Sequence, residues 1–196
     1  MDAGLRADLT AALGQADGPA ADRWRARERA GDAAEQARAF LRSRGYYAAR
    51  IDARLDADGR ALIRVRPGAQ FVFDAVRVEF DQPDNAPAPG QAVRAAAGLG
   101  PGDPATAQSV LDARARITAA LHESGFPEAA ETDYAVTVDH AGENAEAVFT
   151  ARTGPFVRFG AAQFAGGLAE LRDDYIDRLA PYEIGDPASR SVLNAY

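Results

Sequence analysis

The chain has 196 residues and 47% hydrophobic content, enough for one large domain or two to three small ones. All 22 of its basic residues are arginine, and against 29 Asp plus Glu they leave a net charge of −7, a balance that opposes nucleic-acid or anionic-membrane binding. The absence of cysteine excludes disulfides, thiolate metal sites and Cys nucleophiles, and the longest apolar stretches fall far short of the roughly 18 to 20 residues of a membrane span.

The opening Met1-Asp2-Ala3-Gly4 does not read as a basic and then apolar leader, and residues 2–14 have the pattern of a first helix, followed by a loop at Asp17-Gly18-Pro19. The run Arg23-Trp24-Arg25-Ala26-Arg27-Glu28-Arg29 is the most basic stretch and reads as a solvated helix face. Residues 32–44 are expected to form a helix closed by Gly45, because glycine takes the left-handed cap conformation without a Cβ clash. Residues 46–56 and 60–66 then read as a hairpin around Asp58-Gly59, a pair suited to positive φ.

Residues 71–80 alternate as a strand whose phase shifts between Ala75 and Val76, the mark of a bulge. The stretch 83–90 is a loop by its Pro, Asn and Gly content, and residues 91–98 form a short Ala-rich helix. A longer amphipathic helix is expected to start at Asp103 as cap with Pro104 in its first turn. It carries Val110, Leu111, Arg114, Ile117 and Leu121 at spacings of three and four, and stops at Gly125. Residues 134–138 and 146–152 are strands joined by His140-Ala141-Gly142-Glu143-Asn144. Residues 156–164 read as another strand, 168–179 as a helix, and the last residues as the beginning of a second helix.

This order repeats. Leu41-Arg42-Ser43-Arg44-Gly45-Tyr46-Tyr47 aligns with Leu121-His122-Glu123-Ser124-Gly125-Phe126-Pro127, and residues 66–75 align without a gap with residues 152–161. Gly102-Asp103-Pro104-Ala105 recurs as Gly185-Asp186-Pro187-Ala188. The period of about 80 to 86 residues is longer than that of solenoids, so each unit is a small domain of order β-α-α-β-β. The expected divisions are 1–68, a unit lacking its first strand; 69–154, a complete unit; and 155–196, a unit broken off within its second helix.

The β-α-α-β-β order, the helix ends Gly45-Tyr46 and Gly125-Phe126, and the junction Gly154-Pro155-Phe156-Val157-Arg158-Phe159-Gly160 together resemble polypeptide-transport-associated (POTRA) domains. Such domains form the periplasmic arm of an outer-membrane insertase superfamily. The turns Leu99-Gly100-Pro101-Gly102-Asp103-Pro104 and Pro181-Tyr182-Glu183-Ile184-Gly185-Asp186-Pro187 resemble the TamA branch of it more than the BamA branch. The resemblance implies an α+β fold in which a three-stranded mixed sheet carries two helices on one face. It also implies a fragment of a barrel-anchored parent, with Met1 as an added or internal start. The implied setting is the periplasm of a Gram-negative bacterium, and the implied role is a docking arm in assembly of outer-membrane proteins and autotransporters. The implied partners are an inner-membrane-anchored TamB-like subunit and unfolded outer-membrane-protein clients. A BamA-type arm or a two-partner secretion transporter is the alternative.

An edge strand can accept a further strand through main-chain hydrogen bonds. By the resemblance, the expected partner-binding edges are Tyr134, Ala135, Val136, Thr137 and Val138 in the complete unit, and Tyr46, Tyr47 and Ile51 in the first. Gly68, Phe71, Phe73, Gly154, Pro155 and Phe159 mark the junctions.

No catalytic residue, cofactor or metal site is expected. His122 and His140 fall at a helix end and in a hairpin loop. Asp56-Ala57-Asp58-Gly59 lacks the closing Glu of a calcium loop, and Asp173, Asp174 and Asp177 suit the first turn of a helix, although they would anchor an enzymatic reading if one were needed. Gly98, Gly100 and Gly102 follow a helix rather than a strand, unlike a phosphate-binding fingerprint, and neither Ser109 nor Ser124 lies in a nucleophile elbow. A single-domain division protein with a POTRA-like fold is disfavoured by the tandem repeat.

Overall fold

The computed structural model describes residues 1–14, 22–56, 60–161 and 182–194. The fold is α+β. In chain order it runs α1 (Ala3–Leu13), α2 (Arg23–Ser43), β1 (Arg50–Leu55), β2 (Ala61–Arg66), β3 (Val72–Asp81), α3 (Gln91–Ala95), α4 (Ala107–Glu123), β4 (Asp133–Asp139), β5 (Asn144–Arg152) and α5 (Arg190–Asn194). β1 and β2 form an antiparallel two-stranded sheet, and a second sheet has the order β3-β5-β4. The chain divides into two compact units. One comprises Met1–Val76, Gly100–Val110 and Val136–Ala147; the other comprises Arg77–Leu99, Leu111–Ala135 and Val148–Tyr196.

In the first unit, α1 starts where the carboxylate of Asp2 accepts the amide of Leu5 at 2.8 Å. α2 begins at Arg23, nine residues before the expected start at 32, because Asp22 caps the amide of Arg25 at 2.8 Å. The arginine-rich run therefore occupies its first two turns, with Trp24 exposed and Ala26 and Ala30 buried. Ala26, Ala30, Ala34, Ala37 and Leu41 make the buried stripe of α2. Their spacing of three and four residues gives one face, and their small side chains let α1 and the β1–β2 hairpin close on it. Leu9 seals the α1 side, and Arg44 pairs with Asp8 at 3.2 Å.

β1 begins at Arg50, not at Tyr46. Tyr46 and Tyr47 lie in the turn that follows α2, since the Tyr46 amide is already committed to Leu41 O at 2.9 Å as part of the helix ending. Ile51 does lie in β1, opposite Val65. The expected turn at Asp58-Gly59 falls outside the described residues.

The burial pattern of β3 shows the shifted phase read from its sequence: Phe73 is buried on one register and Val78 on the next, with half-buried Ala75 and Val76 between them. α3 is shorter than expected, ending at Ala95. In the second unit the guanidinium of Arg116 takes up its free end, donating to Ala96 O at 3.2 Å and Ala97 O at 2.6 Å.

α4 begins at Ala107, and Thr106 rather than Asp103 caps it, its Oγ1 accepting from Ser109 N at 3.1 Å. Pro104 lies in a bridge opposite Val72, outside the helix. Val110, Ala113, Ile117 and Leu121 are its buried face; Leu111 is 43% exposed and so is not a core residue. In β5, Ala145, Ala147, Phe149 and Ala151 are all fully buried, as a central strand requires on its covered side.

Residues 156–161 form no strand and contribute only the bridge Arg158–Pro187; residues 162–164 and the expected helix at 168–179 lie outside the described residues. α5 stands where the beginning of a second helix was expected.

Phe149→Ala is expected to cost about 3–5 kcal/mol in a urea-unfolding experiment, because it empties the centre of the sheet. Thr150→Ala, the exposed neighbour, should stay within about 0.5 kcal/mol of wild type.

Candidate partner-binding edge and repeated junctions

The three aligned sequence segments meet in space, once in each unit. In the first, the chain leaving α2 turns at Gly45, whose φ of 86° favours glycine, and Tyr46 N donates back to Leu41 O. Gly45 O accepts the amide of Phe71 at 2.9 Å. Phe71 O then accepts from Ala105 N at 2.9 Å, Phe73 N donates to Asp103 O at 2.8 Å, and Phe73 O accepts from Gly102 N at 2.8 Å. The Asp103 carboxylate closes the turn by accepting from Gly100 N at 2.8 Å.

The second unit repeats this bond for bond. Gly125, with φ of 92°, follows the return bond from Phe126 N to Leu121 O, and its carbonyl accepts from Val157 N at 2.8 Å. Ala188 N donates to Val157 O, Phe159 N to Asp186 O, and Gly185 N to Phe159 O, at 2.8 to 2.9 Å. Asp186 accepts from Glu183 N at 3.0 Å. Gly68 and Gly154, both at positive φ, precede the two ladders and pass beside Ala48 and Glu128. Pro155 is exposed and Phe159 stacks on Tyr182 with ring centres 4.2 Å apart.

The copies differ in side chains. At the first, Tyr47 meets Phe71 edge to face at 5.5 Å and its hydroxyl donates to Ala105 O at 3.0 Å. Burial pushes the Tyr47 phenol above its ordinary value of 10.0. At the second, Phe126 meets Phe156 at 5.2 Å and the Arg158 guanidinium lies over Phe156 at 4.9 Å.

At the second, the Glu123 carboxylate at the end of α4 reaches α5, accepting from Ser191 N at 3.0 Å and Ser191 Oγ at 2.6 Å. His122 sits in the same network, with Nε2 at 3.0 Å from Ala129 O and Nδ1 at 3.1 Å from Arg190, so both ring nitrogens are engaged structurally. His140 packs its ring against Phe71 at 5.7 Å. Asp173, Asp174 and Asp177 lie outside the described residues.

The strand order leaves β4 at an edge. Along it Val136 and Val138 are half-buried, while Ala135 and Thr137 are exposed. Tyr134 is 47% exposed, with the Arg114 guanidinium 5.8 Å from its ring centre. Arg114 is itself held by Thr132 O at 2.6 Å and by Glu131 at 2.7 Å. Sequence reasoning missed the roles of Arg114, Glu123 and Tyr47, since each depends on a partner far along the chain.

No protein-family model and no curated protein matches the chain. Among solved structures it is similar to POTRA domains 3–5 of BamA from Haemophilus influenzae, at 17% identity over 84% of this chain and 65% of that one, with a TM-score of 0.46. It is also similar to POTRA domains 1–3 of the periplasmic domain of Omp85 from Anabaena, at 12% identity over 64% of this chain and 51% of that one, TM-score 0.37. A third likeness is to BamA from Haemophilus ducreyi lacking POTRA domains 1–3, at 16% identity over 78% of this chain, TM-score 0.43; the chain spans 27% of that structure's length.

Gly125→Ala would force a left-handed alanine and drive its Cβ into the Phe156 ring, whereas Gly102→Ala, at the same φ of 92°, meets nothing within 4 Å. The second should cost about 1–2 kcal/mol and the first measurably more in denaturant unfolding. Tyr47→Phe tests the phenol. Below about pH 10 the tyrosine is neutral folded and unfolded; above it the unfolded chain ionises first, so the folded state loses stability as pH rises through the raised folded value. The phenylalanine variant should lack that increment in melting curves recorded from about pH 8 to 11.

Proposed function

We propose that the chain is a tandem POTRA arm, divided near 1–68, 69–154 and 155–196, of a TamA-like assembly factor in the periplasm. It recruits protein partners and client segments and transforms no substrate. The observation that carries this reading is the repeated ladder, in which a glycine carbonyl at a helix end receives the extended segment that follows the preceding hairpin. A chain built this way is a string of small domains on short links, restricted in how neighbours swing.

Binding is assigned to the β4 edge, where unpaired backbone groups beside exposed Ala135 and Thr137 can accept an extended segment with little regard for its side chains. Ile51 in β1 is the corresponding position of the first repeat. The TamA branch is preferred to a BamA-type arm on the turns at residues 99–104 and 181–187. A TamB-like inner-membrane subunit and unfolded outer-membrane proteins are the partners this implies.

Photo-crosslinking groups at Val136 and Thr137 should capture extended client peptides of unrelated sequence, and backbone N-methylation of those peptides should abolish capture. Adducts confined to a group placed on α4 near Arg116 would rule out strand pairing at this edge.

A further inference from the structure

The ring of His122 is held by two partners whose hydrogen-bond roles are fixed. A backbone carbonyl only accepts, so at 3.0 Å from Ala129 O the Nε2 atom must carry a proton and donate it. A guanidinium only donates, so at 3.1 Å from Arg190 the Nδ1 atom must present its lone pair. Both contacts demand the same species, the neutral imidazole with its proton on Nε2.

That requirement bears on how α5 is seated. α5 begins at Arg190, and its first turn is tied to the end of α4 by side chains: Arg190 to His122, and the amide and hydroxyl of Ser191 to Glu123. The corresponding places in the first copy hold Arg42, aligned with His122, and Ala107, which follows Ala105 as Arg190 follows Ala188. Neither changes charge near neutral pH, so the titratable contact belongs to the second copy.

The charged groups facing the ring are few. His122, Arg190, Arg114 and Glu131 line one cleft of about 470 Å³ beside α4. Glu131 is paired with Arg114 at 2.7 Å, Glu123 is committed to Ser191, and Glu128, on the turn leading to Ala129, is exposed. Among the described residues no carboxylate pairs with the imidazole. A proton arriving at Nδ1 therefore meets no counter-charge. It turns the acceptor of the Arg190 bond into a donor and sets a second positive charge against the guanidinium.

We propose that His122 is a proton-operated latch. Neutral, it holds Arg190 and seats the start of α5 on the end of α4; protonated, it releases Arg190 and frees α5 to leave that position. The proton comes from solvent to Nδ1, and the bond to Ala129 O survives because Nε2 donates in both forms. The ladder bonds joining Val157 to Ala188 and Phe159 to Asp186 are backbone bonds without a titratable group, so the movement is confined to residues after Ala188. The seat is present where the imidazole is neutral and is lost as pH falls through its titration. This device is independent of strand pairing at the β4 edge.

The chain has two histidines and no cysteine, so both the titration and a pair of labels can be assigned to single sites. Spin labels on cysteines introduced at Asp133 and Leu193, both exposed, report the separation of α5 from β4 by double electron–electron resonance. One narrow distance is expected at about pH 8, and a second, longer population of at least about half at about pH 5.5, above the ordinary carboxylate range. In His122→Gln the amide accepts from Arg190 and donates to Ala129 O at any pH, so the distribution should be the same at both values. Arg190→Gln should also lose the response, since its amide can donate to a neutral Nδ1 or accept from a protonated one. His140→Gln should respond as wild type does. A wild-type distribution that does not change with pH overturns the proposal, as does a wild-type response in either His122→Gln or Arg190→Gln. So does a ¹⁵N spectrum at about pH 8 that places the imidazole proton of His122 on Nδ1.

Discussion

The amide of Phe71 reaches the carbonyl of Gly45, and in the second unit the amide of Val157 reaches that of Gly125. These bonds require a helix that has already ended and a backbone turned into the left-handed region, so that the last carbonyl points sideways at an arriving strand. Once that carbonyl is taken, the arriving strand has its other groups positioned for the Gly-Asp-Pro-Ala turn, and the remaining ladder bonds close around it. Each bond is worth only about 0.5–1.5 kcal/mol net, but an unpaired buried amide costs more, so the ladder forms as a set. Phe71 and Phe73, nearly inaccessible to solvent, are held inward by it.

Arginine carries much of the remaining polar accounting in this lysine-free chain. A guanidinium offers several donors in a fixed plane and can satisfy two carbonyls at once, as Arg116 does beyond α3. The same residue type on the β1–β2 hairpin has no carbonyl within the described structure to hold, and there its charge faces solvent. One residue type thus clamps carbonyls or stands in solvent, according to what the fold places beside it.

The sheet order puts a small-residue strand, β5, in the middle and leaves β4 outermost. Alanine at positions 145, 147 and 151 allows close cover on one side of β5, and Phe149 fills the centre. Among the described residues, His122 is occupied by Ala129 and Arg190, and His140 lies against Phe71.

Several features were legible from the chain alone because their causes are local. Glycine after a helix announces its end, alternation announces β3, β4 and β5, and the shift at Ala75–Val76 needs only the pattern of neighbours. The three aligned segments were legible as repeats. That they form one hydrogen-bonded junction was not, because their members are drawn from about 60 residues of chain. Asp103 shows the difference: its local setting before Pro104 reads as a helix cap, but its carbonyl is claimed by Phe73 and its carboxylate by Gly100, so Thr106 caps the helix and it starts at Ala107. Tyr46 and Tyr47 read as strand by propensity, yet the helix ending and Ala105 hold them in a turn. Which strand is outermost and which arginines share a face depend on pairing and register, so the sequence by itself determined the locally specified elements and the recurrence of its segments, while only tertiary structure decided the ends of those elements, the edges and the faces. The reason is that hydrogen-bond partners distant in sequence outweigh the local preference of any one residue.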